Sequence, residues 1–174
     1  VLDYGESTYE QDFWQEGRRD YEDAAERWAL RRLLPASGGR LLDVGAGFGR
    51  LADLYRGHHE VILLDYSPDL LRDARARLAP HPPLTLAANF YNIPLADGAC
   101  DTVVMVRTLH HAADVAAALR ELRRVLKQNG RLSITETVPD PSYPLMAEVV
   151  GWAQAVGFEL VEQRGNPFLY TLNF

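Results

Sequence analysis

Leu41-Leu42-Asp43-Val44-Gly45-Ala46-Gly47-Phe48-Gly49-Arg50 is the stretch that decides the fold. A short apolar run, the mark of a buried strand, ends in three alternating glycines. Glycines at 45, 47 and 49 allow a tight turn and let a ligand approach bare backbone. Arg50 to Gly57 then reads as a helix, whose N-terminal N–H groups point at the same place.

Outward from this turn, strands and helices alternate. Val61-Ile62-Leu63-Leu64 is a second apolar strand, ending in Asp65. Ser67 and Pro68 are the N-cap and first residue of a helix that runs to about Leu78 and stops before Pro80, Pro82 and Pro83. Leu84 to Ala88 is a third strand, Asn89 to Ala99 a loop, and Asp101 to Val106 a fourth strand. Asp114 caps a helix that Asn129-Gly130 closes, and Leu132 to Thr137 is the fifth strand. A helix over Leu145 to Val156 follows. Phe158 to Glu162 and Phe168 to Phe174 are expected to pair as an antiparallel hairpin about Gly165-Asn166-Pro167. Before all of this, residues 1–36 are acidic and helical in spacing, with Tyr21, Ala24, Ala25, Trp28, Ala29 and Leu33 recurring until Pro35 and Gly38-Gly39.

Strands that are apolar on both faces and alternate with helices predict an α/β, Rossmann-like doubly wound fold. The expected sheet has seven strands, mostly parallel, with the C-terminal hairpin antiparallel and helices on both faces. One domain is expected over 1–174: a helical cap at 1–36, a core at 38–137, and a helix and hairpin at 138–174.

Composition narrows the function. The 174 residues include 24 acidic and 18 basic side chains, a net charge of -6, which argues against nucleic acid as the main partner. The arginine groups Arg72, Arg75, Arg77 and Arg120, Arg123, Arg124 read as solvated helix faces. The lone Cys100 excludes a disulfide framework and a cysteine-rich zinc site. No apolar run approaches the roughly 20 residues of a membrane span, and no secretion signal is visible, so a reduced, cytoplasmic setting is expected. The chain opens on Val1 rather than Met and is compatible with a longer parent chain.

In a doubly wound sheet the ligand sits at the carboxyl ends of the strands. Asp65 ends the second strand, 20 residues after Gly45, where an acid accepts both hydroxyls of a ribose. Strand, glycine loop, helix, strand and terminal acid together point to a nucleoside-containing cofactor. The spacing G-x-G-x-G, with Arg50 where the dinucleotide fingerprint has its last glycine, counts against the rival reading of an NAD-dependent oxidoreductase.

These motifs resemble the class I S-adenosylmethionine-dependent methyltransferases, most of all the small-molecule group that includes the ubiquinone and menaquinone methyltransferases. The resemblance rests on Leu41 to Gly49, Leu64 to Ser67, Ile93 to Asp101, Leu109-His110-His111 and Leu122 to Leu132. It covers about residues 38–137 and, more loosely, 143–174. It implies methyl transfer from S-adenosylmethionine, with S-adenosylhomocysteine as product, to an O, N or C acceptor of a small molecule. It also implies roles. Gly45, Ala46 and Gly47 contact the methionine part, Asp43 helps hold its ammonium, and Asp65 takes the ribose hydroxyls. Tyr66, Asn89 and Phe90 surround the adenine. Arg107, where relatives more often have a small residue, departs from that pattern, and its charge suits pairing with the cofactor carboxylate or an acidic substrate. His111 and His110 are the candidate bases at the mouth of the site, and Tyr9 heads the N-terminal candidates Trp14, Arg18 and Tyr21. No metal is expected, and His58-His59 falls at the wrong end of the second strand. Alternatives are an RNA or protein methyltransferase and a catalytically inactive cofactor-binding scaffold. The oligomeric state stays open. So does the short proline-rich link from Thr137 to Leu145, which fits either a small open acceptor pocket or a missing lid.

Overall fold

The structure is a computed structural model, and it describes residues 19–138 and 142–174. Seven strands form one sheet: β1 (Gly38–Val44), β2 (His58–Asp65), β3 (Leu84–Ala87), β4 (Cys100–Val106), β5 (Leu126–Thr137), β6 (Glu162–Asn166) and β7 (Leu169–Asn173). Their order is β3-β2-β1-β4-β5-β7-β6. The first five are parallel, and β7 runs antiparallel to both β5 and β6. This is the doubly wound sheet with a C-terminal hairpin that the alternation of elements predicts.

Among the described residues, four α-helices cover the sheet: α1 (Asp20–Leu33), α2 (Pro68–Arg77), α3 (Val115–Val125) and α4 (Met146–Ala155). Successive strand side chains point to opposite faces, so each strand feeds two cores. Leu42, Val44, Leu64, Val103 and Met105 pack with Leu119 and Leu122 of α3 and Val149 of α4. Leu41, Leu63 and Val104 pack on the other face with Leu30 of α1 and Leu71 and Ala74 of α2. Burying this apolar surface is the main driving force for the sandwich. Among the described residues no helix is long and apolar enough to cross a membrane.

Helix starts follow the capping chemistry. The Ser67 hydroxyl accepts from Leu70 N at 3.3 Å, and Asp114 Oδ1 accepts from Ala117 N at 2.8 Å. Elsewhere the boundaries move. The expected helix after the glycine loop is a turn plus one short 3-10 segment, Ala52–Tyr55, because Gly57 and the start of β2 leave no room for more. Helix α3 ends at Val125, and Lys127 to Gly130 belong to β5, so Asn129-Gly130 does not close the helix. The hairpin strand before the turn is Glu162–Asn166 rather than 158–162, since Phe158 turns into the core.

Candidate active site

Strands β1 and β4 are neighbours although two strands separate them in sequence, so the winding reverses between them. A crevice opens at such a switch point. The glycine loop leaves β1 at this crevice. Gly45 N and Ala46 N both donate to Leu64 O, at 2.8 and 3.0 Å, fastening the turn to the end of β2. Gly45 has φ +75, and a Cβ there would lie 2.6 Å from Thr108 Cγ2, so β4's exit requires glycine at 45. Gly47 has φ +54 and meets nothing within 4 Å of an added Cβ. Its bare face looks into open space.

Asp65 pins this geometry. Its Oδ2 accepts from Gly47 N at 2.8 Å and its Oδ1 from Ser67 N at 2.9 Å. Burial pushes its carboxyl above the ordinary range, against the pull of those backbone N–H groups. The Tyr66 N–H also favours its charged form, and a carboxylate with about four acceptor sites still has capacity for a ligand hydroxyl.

Asp43 lies beneath the loop. Burial pushes it up to about 7, with the Tyr55 hydroxyl and Arg50 favouring its charged form and Asp65 opposing it. Arg50 is held from the other side by Asp23 and, at 2.5 Å, by the fully buried Glu26 of α1. Arg27 joins in, donating to Arg50 O at 2.6 Å and to Asp53 Oδ1 at 2.8 Å. This ionic network docks α1 onto the glycine loop, and its charges are invisible to a search for cofactor motifs.

The crevice has two joined parts. One of about 60 Å³ is lined by Asp43, Ala46, Phe48 and Arg50. The other, about 210 Å³, is lined by Asp65, Tyr66, Asn89, Phe90, Thr108 and His111. Gly45, Gly47 and Arg107 border both. The sequence candidates therefore converge, with four qualifications. Asn89 Oδ1 is already used by Tyr91 N at 2.9 Å, closing its own turn. His110 does not line the crevice, whereas His111 does. Tyr9, with Trp14 and Arg18, lies outside the described residues. Tyr21 is 75% exposed and borders a separate groove between α1 and the hairpin. His58 and His59 line a cavity at the opposite, N-terminal end of β2.

Two residues were missed. Arg124, grouped with solvated arginines, instead clamps the loop after β3 by donating to Ile93 O and Leu95 O, each at 2.8 Å, and to Asp97 and Glu121. Glu136, at the end of β5, is fully buried and bonds His110 Nδ1 at 2.8 Å. An acid at the carboxyl end of a central strand, in Leu132-Ser133-Ile134-Thr135-Glu136-Thr137, was the available signal. Arg107 stands at φ +53, in the left-handed region uncommon for non-glycine residues and found at functional sites.

Comparison with known proteins places this arrangement. The family described as "Methyltransferase domain" matches residues 42–134. An uncharacterized methyltransferase of Mycobacterium bovis is 33% identical over 155 residues, covering 88% of this chain and 58% of that protein. A ubiquinone/menaquinone biosynthesis C-methyltransferase of Syntrophotalea carbinolica is 34% identical over 129 residues, covering 70% of this chain and 54% of that protein. The chain thus spans little more than half the length of these curated relatives. The crystal structure of a SAM-dependent methyltransferase from Aquifex aeolicus superposes with a TM-score of 0.81 at 20% identity, covering 99% of this chain and 98% of that one. With the glycine turn, the acid ending β2 and this sheet order in hand, the chain belongs to the class I S-adenosylmethionine-dependent methyltransferases.

Proposed function

We propose that this chain binds S-adenosylmethionine in the crevice and transfers its methyl group to an O, N or C acceptor of a small molecule. The observation that carries this is the bare face of Gly47. A side chain there would meet no protein atom, yet it borders both parts of the crevice, and its own N–H is held by Asp65. That is a cradle shaped for a ligand rather than a packed turn.

The roles follow from position and charge. Asp43, beneath the smaller part, receives the cofactor ammonium, and Gly45, Ala46 and Gly47 carry the methionine segment. Asp65 takes the ribose hydroxyls with its remaining acceptor capacity. Tyr66 and Phe90 flank the adenine, with the Asn89 amide at its edge. Arg107 offers a guanidinium to the cofactor carboxylate or an acidic acceptor. When bound, the sulfonium supplies a methyl group with a leaving group already activated by its charge. The protein's part is to align the acceptor behind that methyl and exclude water, the entropic share of catalysis. His111 faces the crevice and takes the proton of an acceptor that must lose one.

Calorimetric titration with S-adenosylhomocysteine, with NADH as control, tests the cofactor. Binding of the first alone is expected. Binding of NADH alone overturns the assignment. Transfer of labelled methyl to a panel of phenols, quinols, amines and carboxylic acids then tests turnover and separates an enzyme from a scaffold.

A further inference from the structure

Glu136 is a buried acid behind the crevice rather than in it, and both of its oxygens are engaged. Its Oε1 accepts from Thr108 N at 3.1 Å and from Leu109 N at 2.7 Å. Its Oε2 lies 2.8 Å from His110 Nδ1. One carboxylate therefore gathers three consecutive residues of the turn that leaves β4. That turn matters at both ends. Thr108 packs against the Cα of Gly45. His111 borders the crevice, and its ring lies against that of His110, with centroids 3.9 Å apart.

An ionised carboxylate only accepts, so this contact assigns a proton to Nδ1 of His110. The partner of one ring nitrogen sets the state of the other. We propose that Glu136 is a positioning residue for the methyl-acceptor side of the site. It holds His110 as the Nδ1–H tautomer and, through the packed rings, orients His111 as proton acceptor. As the new bond forms from an O–H or N–H acceptor to the methyl carbon, the proton passes to His111 and the C–S electron pair stays on sulfur. This rests on the methyl-transfer function proposed above, and Glu136 touches neither reactant.

Glu136→Gln separates the two duties of the carboxylate. The amide oxygen still accepts from Thr108 N and Leu109 N, so the turn stays anchored. The amide NH₂ faces His110 Nδ1 and donates, which moves the ring proton to Nε2. Long-range ¹H–¹⁵N spectra of histidine-labelled protein read this directly. The wild type is expected as the Nδ1–H tautomer and the variant as Nε2–H. S-adenosylhomocysteine affinity is expected to stay within twofold. On any acceptor from the panel, kcat should fall roughly tenfold to a hundredfold with KM within twofold, the scale of a misplaced general base. An Nε2–H tautomer in the wild type, or the same tautomer in both proteins, overturns the proposal. A tautomer that flips while kcat is unchanged overturns it as well. Loss of S-adenosylhomocysteine binding by the wild type sinks the cofactor assignment instead, and the spectra are read independently of it.

Discussion

Gly45 and Gly47 differ by two positions and should fail in opposite ways. Both have positive φ, +75 and +54, so an alanine at either carries a left-handed strain of about 1–2 kcal/mol, part of which is offset by a stiffer unfolded chain. At Gly47 nothing else in the protein resists the methyl group. Gly47→Ala should therefore lose about 1 kcal/mol, or about 2–4 °C in Tm for a domain of this size. At Gly45 the methyl runs into Thr108, with Cγ2 at 2.6 Å, and overpacking adds about 1–3 kcal/mol. Gly45→Ala should lose about 2–4 kcal/mol, or about 4–16 °C. Ligand affinity separates the two the other way. The Gly47 methyl enters the cradle itself, so S-adenosylhomocysteine should bind about 5- to 150-fold more weakly, again about 1–3 kcal/mol. Thermal melts with and without S-adenosylhomocysteine, plus calorimetry, measure both quantities. A Gly47→Ala protein that binds with wild-type affinity refutes the claim that this open face is the cofactor's seat.

Three more outcomes are expected. Asp65→Asn should weaken S-adenosylhomocysteine binding by about 1.5–3 kcal/mol, the worth of hydrogen bonds to a charged group, and calorimetry showing no change would remove Asp65 from the ribose site. Asp43 has a folded pKa of about 7 against an ordinary 3.8, so the folded state holds a proton that the unfolded chain gives up. Its contribution to stability is full below about pH 4 and is lost as pH rises to about 7, up to about 4 kcal/mol. Urea melts of Asp43→Asn should be flatter than wild type across that window, and parallel curves would contradict the assignment. Arg50→Met strips the buried Glu26 of a partner and should cost about 3–5 kcal/mol, or about 6–20 °C in Tm, with partial recovery in the Arg50→Met, Glu26→Gln double variant. Equal melting of wild type and single variant would show that the network does not dock α1.

The glycine-loop part of the candidate site was legible because its geometry is local. A glycine turn, the acid ending the next strand and a helix cap are each defined by neighbours in sequence, and the same residues, Gly45, Gly47, Asp65 and Ser67, meet in space. Helix boundaries were less legible, since Ala52 to Tyr55 has little room before β2 begins at His58, and Lys127 to Gly130 fall in the irregular stretch of β5 between the pairs Cys100–Leu126 and Thr102–Arg131. The arginines show the same limit. Arg124 and Arg50 look like any charged surface residue until distant acids and carbonyls surround them.

Alternating apolar strands, capping residues and glycine spacing by themselves determined the doubly wound fold, and the cofactor expectation came with the family that those motifs resemble. Only the tertiary structure decided that His111 rather than His110 borders the crevice, that Glu136 stands behind the pair, and that α1 is tied to the glycine loop through Arg50. The physical reason is range. Backbone geometry and capping act over three or four residues, whereas a buried carboxylate selects its partners by proximity across strands 26 to 28 residues apart in the chain. No periodicity in the sequence records that pairing.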